Sequence, residues 1–401
     1  MSESANESDH ERAPGRRSAG KSPLRVGIVS SRDVKDPGQW SGITAFIVSA
    51  LEDEFEHVTP LGPVARPGIL KLYAWLMHVF FRLTQRRGYL SPGDRFTVRY
   101  WGYVLGRRLR KTAVDVIVAP AAAGEVAFLQ TDTPICYISD ASFTILYETY
   151  SGAYLSPFSE REQRVIERRC IANSNLQIFA SDWAADFVRE SLSSEKPNAH
   201  VLPFGANLKR VPAAADLTFR RSEGPIRLLF VGVDWARKGG VIVLETLDLL
   251  KNDGYEVELT VVGCTPPVSH DDMTVIPFVD KNSSDGANRM SSLLLSSDFM
   301  FVPSRAECYG IVFAEAGAYG LPSVSCDSGG ISTVVKNDQN GYLLRHDAPA
   351  SSYAKVMAMA VDDPDTYQRL SRTARALYEA EYNWQVFGSR LRVLLEGLIA
   401  N

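Results

Sequence analysis

Two carboxylates, Glu307 and Glu315, stand eight positions apart around a glycine in the segment E-C-Y-G-I-V-F-A-E. The apolar run before this segment is typical of a buried parallel strand, and the pattern after Gly310 predicts a helix that ends near Gly320. Glu307 would then lie in the loop after the strand, and Glu315 in the first turns of the helix. Both carboxylates could accept hydrogen bonds from the hydroxyl groups of a sugar.

The start of the same predicted helix has the properties of an anion site. The backbone N–H groups of Gly310, Ile311 and Val312 have no partner inside the helix, and they lie at its positive end. These N–H groups would bind phosphate, while the two carboxylates would bind sugar and ribose hydroxyls. A phosphorylated sugar donor requires that combination of groups.

The chain alternates predicted strands and helices in two successive series, which indicates two doubly wound α/β domains. The predicted strands cover residues 24–30, 114–119, 135–139, 226–231, 257–262, 274–277, 299–302 and 323–325. We divide the chain into a tail (1–22), an N-terminal domain (23–207), a linker (208–225), a C-terminal domain (226–380) and a final helix (381–401). The tail contains a match to the phosphate-binding pattern G-x-x-x-x-G-K-S at 15–22, but a strand follows it where a helix is required, so we expect a disordered tail.

Four ordered segments carry a family resemblance: residues 201–207, 229–240, 307–315 and 328–335. Together they resemble the retaining GT-B glycosyltransferases of the family-4 type, the glycosyl transferases group 1. The resemblance covers the C-terminal half well and the N-terminal half loosely. It implies two Rossmann-like domains that face each other across a cleft, with the last helix crossing back to the N-terminal domain.

The resemblance implies roles for the charged residues of the C-terminal half. Glu315 would bind the ribose hydroxyls of a nucleotide, and Glu307 would lie at the donor sugar and the reaction centre. Lys238 would reach the diphosphate and stabilise the charge that develops on the leaving group. Relatives carry an arginine directly after the strand glycine, where this chain has Val233, and Arg237 would replace it.

Further contacts to the donor are expected from loops of both domains. Gly42, just before a predicted helix start, and Gly329 and Gly330 would allow close approach of backbone to phosphate or sugar. Phe278 would frame the base. Asp140 stands in a segment where relatives present a histidine; it would bind acceptor or donor hydroxyls, or cap the next turn.

We expect no metal and no cofactor besides the nucleotide-sugar substrate. Asp363 and Asp365 match a D-x-D pattern, but they open a predicted helix where acids are favoured as caps. The cations Arg237 and Lys238 would neutralise the phosphates instead. Five scattered cysteines without a C-x-x-C pair indicate reduced, cytosolic thiols and no zinc or disulfide framework.

The charge of the chain is uneven. Its net charge is −4, yet residues 66–111 hold eleven Lys and Arg against a single acid, Asp94. This basic segment would attract an anionic acceptor or an anionic membrane surface. Its two predicted helices, 69–87 and 95–111, would either rest on such a membrane or pack their apolar faces against the sheet. No run is long and apolar enough to span a membrane, and no nucleic-acid-binding module is recognisable.

The sequence therefore predicts a cytoplasmic, retaining, metal-independent glycosyltransferase, peripheral on the inner membrane face. It would move a sugar from a nucleoside-diphosphate donor to a glycolipid or polysaccharide precursor of the cell envelope. Two alternatives stay open: a GT-B sugar-phosphate synthase or phosphorylase with a soluble acceptor, and a non-catalytic protein that binds nucleotide sugars. Donor base, sugar, linkage and oligomeric state do not follow from the residues.

Overall fold

A computed structural model describes residues 20–91, 93–150, 155–219, 221 and 223–400. Its N-terminal half contains one sheet of six parallel strands in the described part, with the order β2-β1-β3-β4-β5-β6. The strands are β1 (Ser22–Ile28), β2 (Phe55–Pro60), β3 (Val116–Pro120), β4 (Ile135–Ser139), β5 (Leu176–Phe179) and β6 (Ala199–Val201). The helices around them are α1 (Ile43–Glu54), α2 (Gly68–Gln85), α3 (Arg95–Leu109), α4 (Ala123–Val126), α5 (Phe143–Thr149), α6 (Pro157–Asn173) and α7 (Asp182–Ser191).

The C-terminal half repeats this architecture. Six described parallel strands follow the order β12-β11-β10-β7-β8-β9. They are β7 (Ile226–Val231), β8 (Val257–Val262), β9 (Met273–Ile276), β10 (Phe299–Phe301), β11 (Ser323–Cys326) and β12 (Gly341–Leu344). The helices are α8 (Gly240–Asn252), α9 (Ser284–Ser296), α10 (Ile311–Ala318), α11 (Ile331–Val334), α12 (Ala350–Asp362), α13 (Pro364–Ala380) and α14 (Trp384–Ala400).

The inner strands are buried on both faces. All five residues of β3 and of β4 are buried, as are the three of β10. Helices on both sides of a parallel sheet exclude water from it, which explains why these strands consist of continuous apolar runs without alternation. The prediction of two doubly wound parallel-sheet domains is confirmed, and the predicted strand limits lie within two residues of the observed ones.

Helix α14 crosses back to the N-terminal domain, as predicted. The Trp384 ring stacks on Phe46 of α1 with ring centroids 5.7 Å apart, and it also stacks on Phe204 at 5.9 Å. Arg392 of α14 lies 3.5 Å from the Glu54 carboxylate. The chain thus passes between the domains near residue 204 and again near residue 384, and the two passages pack together.

The first strand begins earlier than the sequence indicates. Ser22 is the last residue of the predicted tail, but it is buried, belongs to β1 and pairs with Phe55 of β2. Arg392 donates to the Gly20 carbonyl oxygen at 3.0 Å, which ties this start to α14. Residues 1–19 of the predicted tail, with the first five positions of the G-x-x-x-x-G-K-S match, lie outside the described residues.

Candidate functional site

A lysine and a glutamate lie side by side at the carboxyl edge of the C-terminal sheet. Lys238 follows β7, and Glu307 lies in the loop between β10 and α10. The Lys238 ammonium donates a hydrogen bond to Glu307 Oε2, and the two side chains are only 10% and 13% exposed. Ser304 Oγ lies 3.5 Å from the same oxygen. Open α/β sheets bind their ligands at this edge, so the pair occupies a ligand-binding position.

Two glycines fix the direction of Lys238. Gly239, the N-cap of α8, has φ +81°, and a Cβ there would lie 2.1 Å from the Pro303 carbonyl oxygen. A Cβ on Gly240 would lie 2.1 Å from the Trp235 ring. The start of α8 therefore packs directly on the segment after β10, which brings the lysine to Glu307.

Arg237 contacts the same loop but turns toward the N-terminal domain. Its Nη1 donates to the Ala306 carbonyl oxygen at 2.8 Å, and its guanidinium lies 5.2 Å from the centroid of the Tyr150 ring. The Tyr150 hydroxyl lies 3.4 Å from Cys308 Sγ. Burial raises the pKa of the Cys308 thiol to about 12, so it stays protonated at neutral pH. Tyr150 thus joins the two domains at the site, although no sequence motif marks it.

Glu315 is 2% exposed, which excludes a solvent-facing helix charge. Its Oε1 accepts a hydrogen bond from Lys281 Nζ at 2.6 Å. Lys281 lies in the loop after β9, three residues beyond Phe278, whose ring is 75% exposed. Phe278 is the predicted site residue of this loop, and Lys281 is a site residue that the prediction does not include. The available signal was a cation just after a strand that ends at the ligand-binding edge.

The start of α10 is open. Gly310 is its N-cap residue with φ +85°, and among the described side chains none caps the first turn. Ile311 and Val312 are the first two residues of this helix. Their N–H groups, with that of Gly310, lie at the positive helix end beside Glu307, as the anion-site prediction requires.

The N-terminal domain contributes a wall made by Trp40 and Asp140. Trp40, Ser41 and Gly42 have successive φ angles of 46°, 56° and 84°, and Gly42 is the N-cap of α1. Left-handed backbone at non-glycine residues is strained and is often found at functional sites. This turn directs Trp40 Nε1 to Asp140 Oδ2, to which it donates at 3.1 Å.

Asp140 titrates far from the usual range of a carboxyl group. Burial raises its pKa to about 6, the hydrogen bond from Trp40 opposes that rise, and the nearby Glu307 charge adds to it. The N-cap residue of the following helix α5 is Ser142, which accepts from Ile145 N, whereas the Asp140 carboxylate accepts from the adjacent backbone N–H of Ala141. Asp140 and Glu307 thus face the same cleft from opposite domains.

Gly329 and Gly330 allow a close approach of two backbone segments. A Cβ on Gly329, which has φ +58°, would lie 1.7 Å from the Glu307 carbonyl oxygen. A Cβ on Gly330 would lie 2.2 Å from the Cys308 carbonyl oxygen and 2.7 Å from Ser181 Oγ of the N-terminal domain. Both glycines therefore support the loop that carries Glu307 and keep the space beside it free of side chains.

The D-x-D match has a structural role. Asp363 is the N-cap residue of α13 and accepts hydrogen bonds from Asp365 N at 3.1 Å and from Thr366 Oγ1 at 2.7 Å. Within the ranges that the structure describes, no group of three or more His, Cys, Asp or Glu side chains could hold a metal ion.

Comparison with known proteins agrees with this geometry. Residues 218–377 match the model of the family described as "Glycosyl transferases group 1". The chain is 27% identical over 283 residues to a D-inositol 3-phosphate glycosyltransferase of Xylanimonas cellulosilytica, covering 63% of this chain and 64% of that protein. It is also 27% identical over 244 residues to a glycogen synthase of Mycobacterium tuberculosis, covering 59% of this chain and 57% of that protein. The chain thus spans less than two thirds of the length of either relative.

The fold also matches solved structures. The sucrose-phosphate synthase of Thermosynechococcus elongatus superposes with a TM-score of 0.66 at 18% identity. The match covers 94% of this chain and 99% of that one. At this identity the match establishes the two-domain fold and nothing about substrates.

Proposed function

We propose that this chain, whose residues 218–377 match the family model of the glycosyl transferases group 1, transfers a sugar from a nucleoside-diphosphate sugar to an acceptor in the cleft between its domains. The observation that carries the proposal is the Lys238–Glu307 pair at the carboxyl edge of the sheet, beside the open start of α10. Glu315 supports it, since a nearly buried carboxylate one helical turn into α10 is a suitable acceptor for ribose hydroxyls.

Each side chain has a part in the proposed reaction. Lys238 and Arg237 would neutralise the diphosphate. When the donor binds, the Lys238 ammonium would leave the Glu307 carboxylate and bind a phosphate oxygen instead. Charge that develops on the leaving group would then meet an ammonium already held in place, which lowers the barrier. Glu307, released from the lysine, would accept hydrogen bonds from the donor sugar. With these cations present, the reaction requires no divalent metal.

We propose that the anomeric configuration is retained. The acceptor would attack on the face that the diphosphate leaves, and the leaving phosphate would take the acceptor proton. A covalent glycosyl-enzyme intermediate is the alternative route to the same stereochemistry. Closure of the domains about residues 203–225 would exclude water and align the two substrates.

The acceptor is proposed to be anionic and lipid-linked, a glycolipid or polysaccharide precursor at the cytoplasmic face of the cell envelope. Support comes from the eleven cations against one acid in residues 66–111. A second candidate is a soluble phosphorylated acceptor, favoured by the name of the D-inositol 3-phosphate glycosyltransferase. Both acceptors are anions, so a panel of lipid-linked and soluble acceptors distinguishes them.

The test is turnover of a donor panel. Protein is incubated with UDP-, GDP- and ADP-sugars and the acceptor panel, and release of the nucleoside diphosphate is followed. We expect release with one nucleotide class, reduced at least about 100-fold in Glu307→Gln. Donor binding without release under any acceptor would identify a non-catalytic binding protein and refute the proposal.

A further inference from the structure

Helix α2 is attached to the N-terminal domain by a set of aromatic side chains. Phe81 is buried and stacks on Tyr89 and Phe158 at centroid distances of 5.8 and 5.7 Å. Tyr73 meets Tyr89 and Phe96 edge to face at 6.3 and 5.0 Å. This attachment uses one side of the helix, so its remaining circumference is free to contact something else.

A second side of α2 is apolar and exposed. Five large side chains recur along it every three or four residues and form the exposed α2 stripe: Ile69 (76% exposed), Leu72 (54%), Leu76 (52%), Phe80 (54%) and Leu83 (79%). Trp75 extends this surface with 60% exposure. The alternative that the apolar residues of this helix pack against the sheet is therefore wrong for the stripe. A contiguous apolar surface of this kind indicates a contact site.

The Asp, Glu, Lys and Arg residues of α2 and of the segment directly after it are all cations. Lys71 and Arg82 lie on the exposed surface of α2, and Arg86 and Arg87 follow directly after its end. None of these four cations forms an ion pair with a described residue. The sequence has no Asp or Glu between positions 57 and 93. An apolar stripe bordered by unpaired cations has the charge complementarity of an anionic lipid surface.

We infer that α2 docks on an anionic bilayer, lying in the headgroup region with the exposed α2 stripe toward the acyl chains. The helix has 18 residues, so it would extend for about 27 Å along the surface. In the described part of the chain no helix is long and apolar enough to cross a membrane, and α2 itself carries Lys71, His78 and Arg82. A second copy of this chain is a poorer occupant, because a symmetric contact would bring the unpaired cations of both copies together.

Docking through α2 would bring the reaction cleft close to the membrane. Helix α5 begins three residues after Asp140 in the cleft wall, and its Tyr147 is close enough to Arg87 for an electrostatic interaction. Ser156 N donates to the Gly88 carbonyl oxygen at 2.9 Å, which joins the end of α2 to the segment before α6. The headgroup of a lipid-linked acceptor would then reach Glu307 along α5. This path of the acceptor rests on the proposed function, whereas docking of α2 on the membrane does not.

The experiment compares vesicle binding of the full chain and two triple variants. The first variant, Ile69→Gln, Leu76→Gln and Leu83→Gln, alters the exposed α2 stripe without removing a buried contact. The matched control, Val268→Gln, Leu295→Gln and Val393→Gln, changes three side chains that are 50%, 54% and 68% exposed on other surfaces. Vesicles of phosphatidylglycerol and phosphatidylcholine in equal parts are compared with phosphatidylcholine vesicles in a sedimentation assay.

The unaltered chain and the control should sediment with the anionic vesicles, and binding should fall at 0.5 M salt, where exposed charges are screened. The stripe variant should bind at least about 100-fold more weakly, since three large apolar contacts are lost. Equal binding of the stripe variant, or no binding by the unaltered chain, would overturn the inference. A dimer that becomes monomeric in the stripe variant would overturn it too, by assigning the stripe to a second copy.

Nucleotide binding by the same variants separates the two proposals. The stripe variant should bind nucleoside diphosphates as the unaltered chain does, which also shows that it is folded. Loss of vesicle binding with intact nucleotide binding supports docking through α2. Vesicle binding in a protein that binds no nucleotide would leave docking standing and refute the glycosyltransferase proposal.

Discussion

Replacing Lys238 by methionine removes one ammonium group from the cleft and keeps a side chain of similar length. In the unaltered protein this ammonium is bound to the Glu307 carboxylate, and both side chains are at most 13% exposed. The variant leaves that carboxylate with Ser304 Oγ at 3.5 Å as its remaining side-chain neighbour among the hydrogen bonds that the structure describes. Two separate losses follow, one in stability and one in turnover.

The loss of stability and the loss of turnover have separate magnitudes. Removing one partner of a nearly buried ion pair leaves an uncompensated charge and costs about 3–5 kcal/mol in the free energy of unfolding. Removing a preorganised cation from a developing leaving-group charge costs about 2.7–4 kcal/mol in the activation free energy, which is roughly a 100- to 1,000-fold loss in kcat. The first loss is a property of the free protein, and the second requires bound donor.

The double variant Lys238→Met with Glu307→Gln distinguishes the two effects. Because it removes both charges, it should recover most of the stability that Lys238→Met loses, while its turnover stays low. Thermal unfolding measures the first quantity, and release of nucleoside diphosphate under saturating donor measures the second.

Two results would refute this reasoning. A folded Lys238→Met protein that keeps kcat within about threefold would show that the ammonium does not act on the leaving group. Recovery of turnover in the double variant would show that Lys238 matters only as the partner of Glu307.

Three further predictions concern other parts of the cleft. Asp140 has a pKa of about 6, so its carboxylate is protonated below that pH. We therefore expect kcat/KM to fall as the pH decreases through 6, and we expect the Asp140→Asn variant to lack this pH dependence. Gly329→Ala should lower the free energy of unfolding by at least about 2 kcal/mol more than Gly254→Ala does, as measured by thermal unfolding. Both glycines have positive φ, but a Cβ at Gly254 would meet no atom within 4 Å. Phe278→Ala should weaken binding of the nucleoside diphosphate, but leave binding of inorganic pyrophosphate unchanged, if the ring frames the base.

The sequence was sufficient for most of the inner strands, among them β3 and β10, and for the loop that carries Glu307. Those strands are buried on both faces, so each appears in the sequence as a continuous apolar run that indicates a strand. It was insufficient for β2, an edge strand with polar, exposed residues that follows α1 at Phe55 without an intervening turn. The edge strand β12 was missed for a different reason, because its apolar run of four residues, Gly341–Leu344, is too short to distinguish a strand from a loop.

Contacts between distant segments could not be predicted from spacing. Lys281 pairs with Glu315 across 34 positions, and Tyr150 meets Cys308 across 158. Lysine and tyrosine are ordinary residues for loops. They reach the site only because β9 and β10 belong to one sheet and because the two domains approach each other there. The hydrophobic pattern of α2 is visible in the sequence. Exposure of the α2 stripe, however, depends on which side of the helix packs against the aromatic side chains that attach it to the N-terminal domain.

The central claim is that the C-terminal domain holds a nucleoside diphosphate through Glu315. Calorimetric titration of UDP, GDP and ADP tests it directly, with Glu315→Ala and with Glu245→Ala as a control that removes an exposed carboxylate from the same domain. We predict binding of one nucleotide, weakened about 100-fold in Glu315→Ala through the loss of charged hydrogen bonds to ribose, and unchanged in Glu245→Ala. Failure of all three nucleotides to bind the folded protein, or equal binding by Glu315→Ala, would contradict the assignment of the donor site.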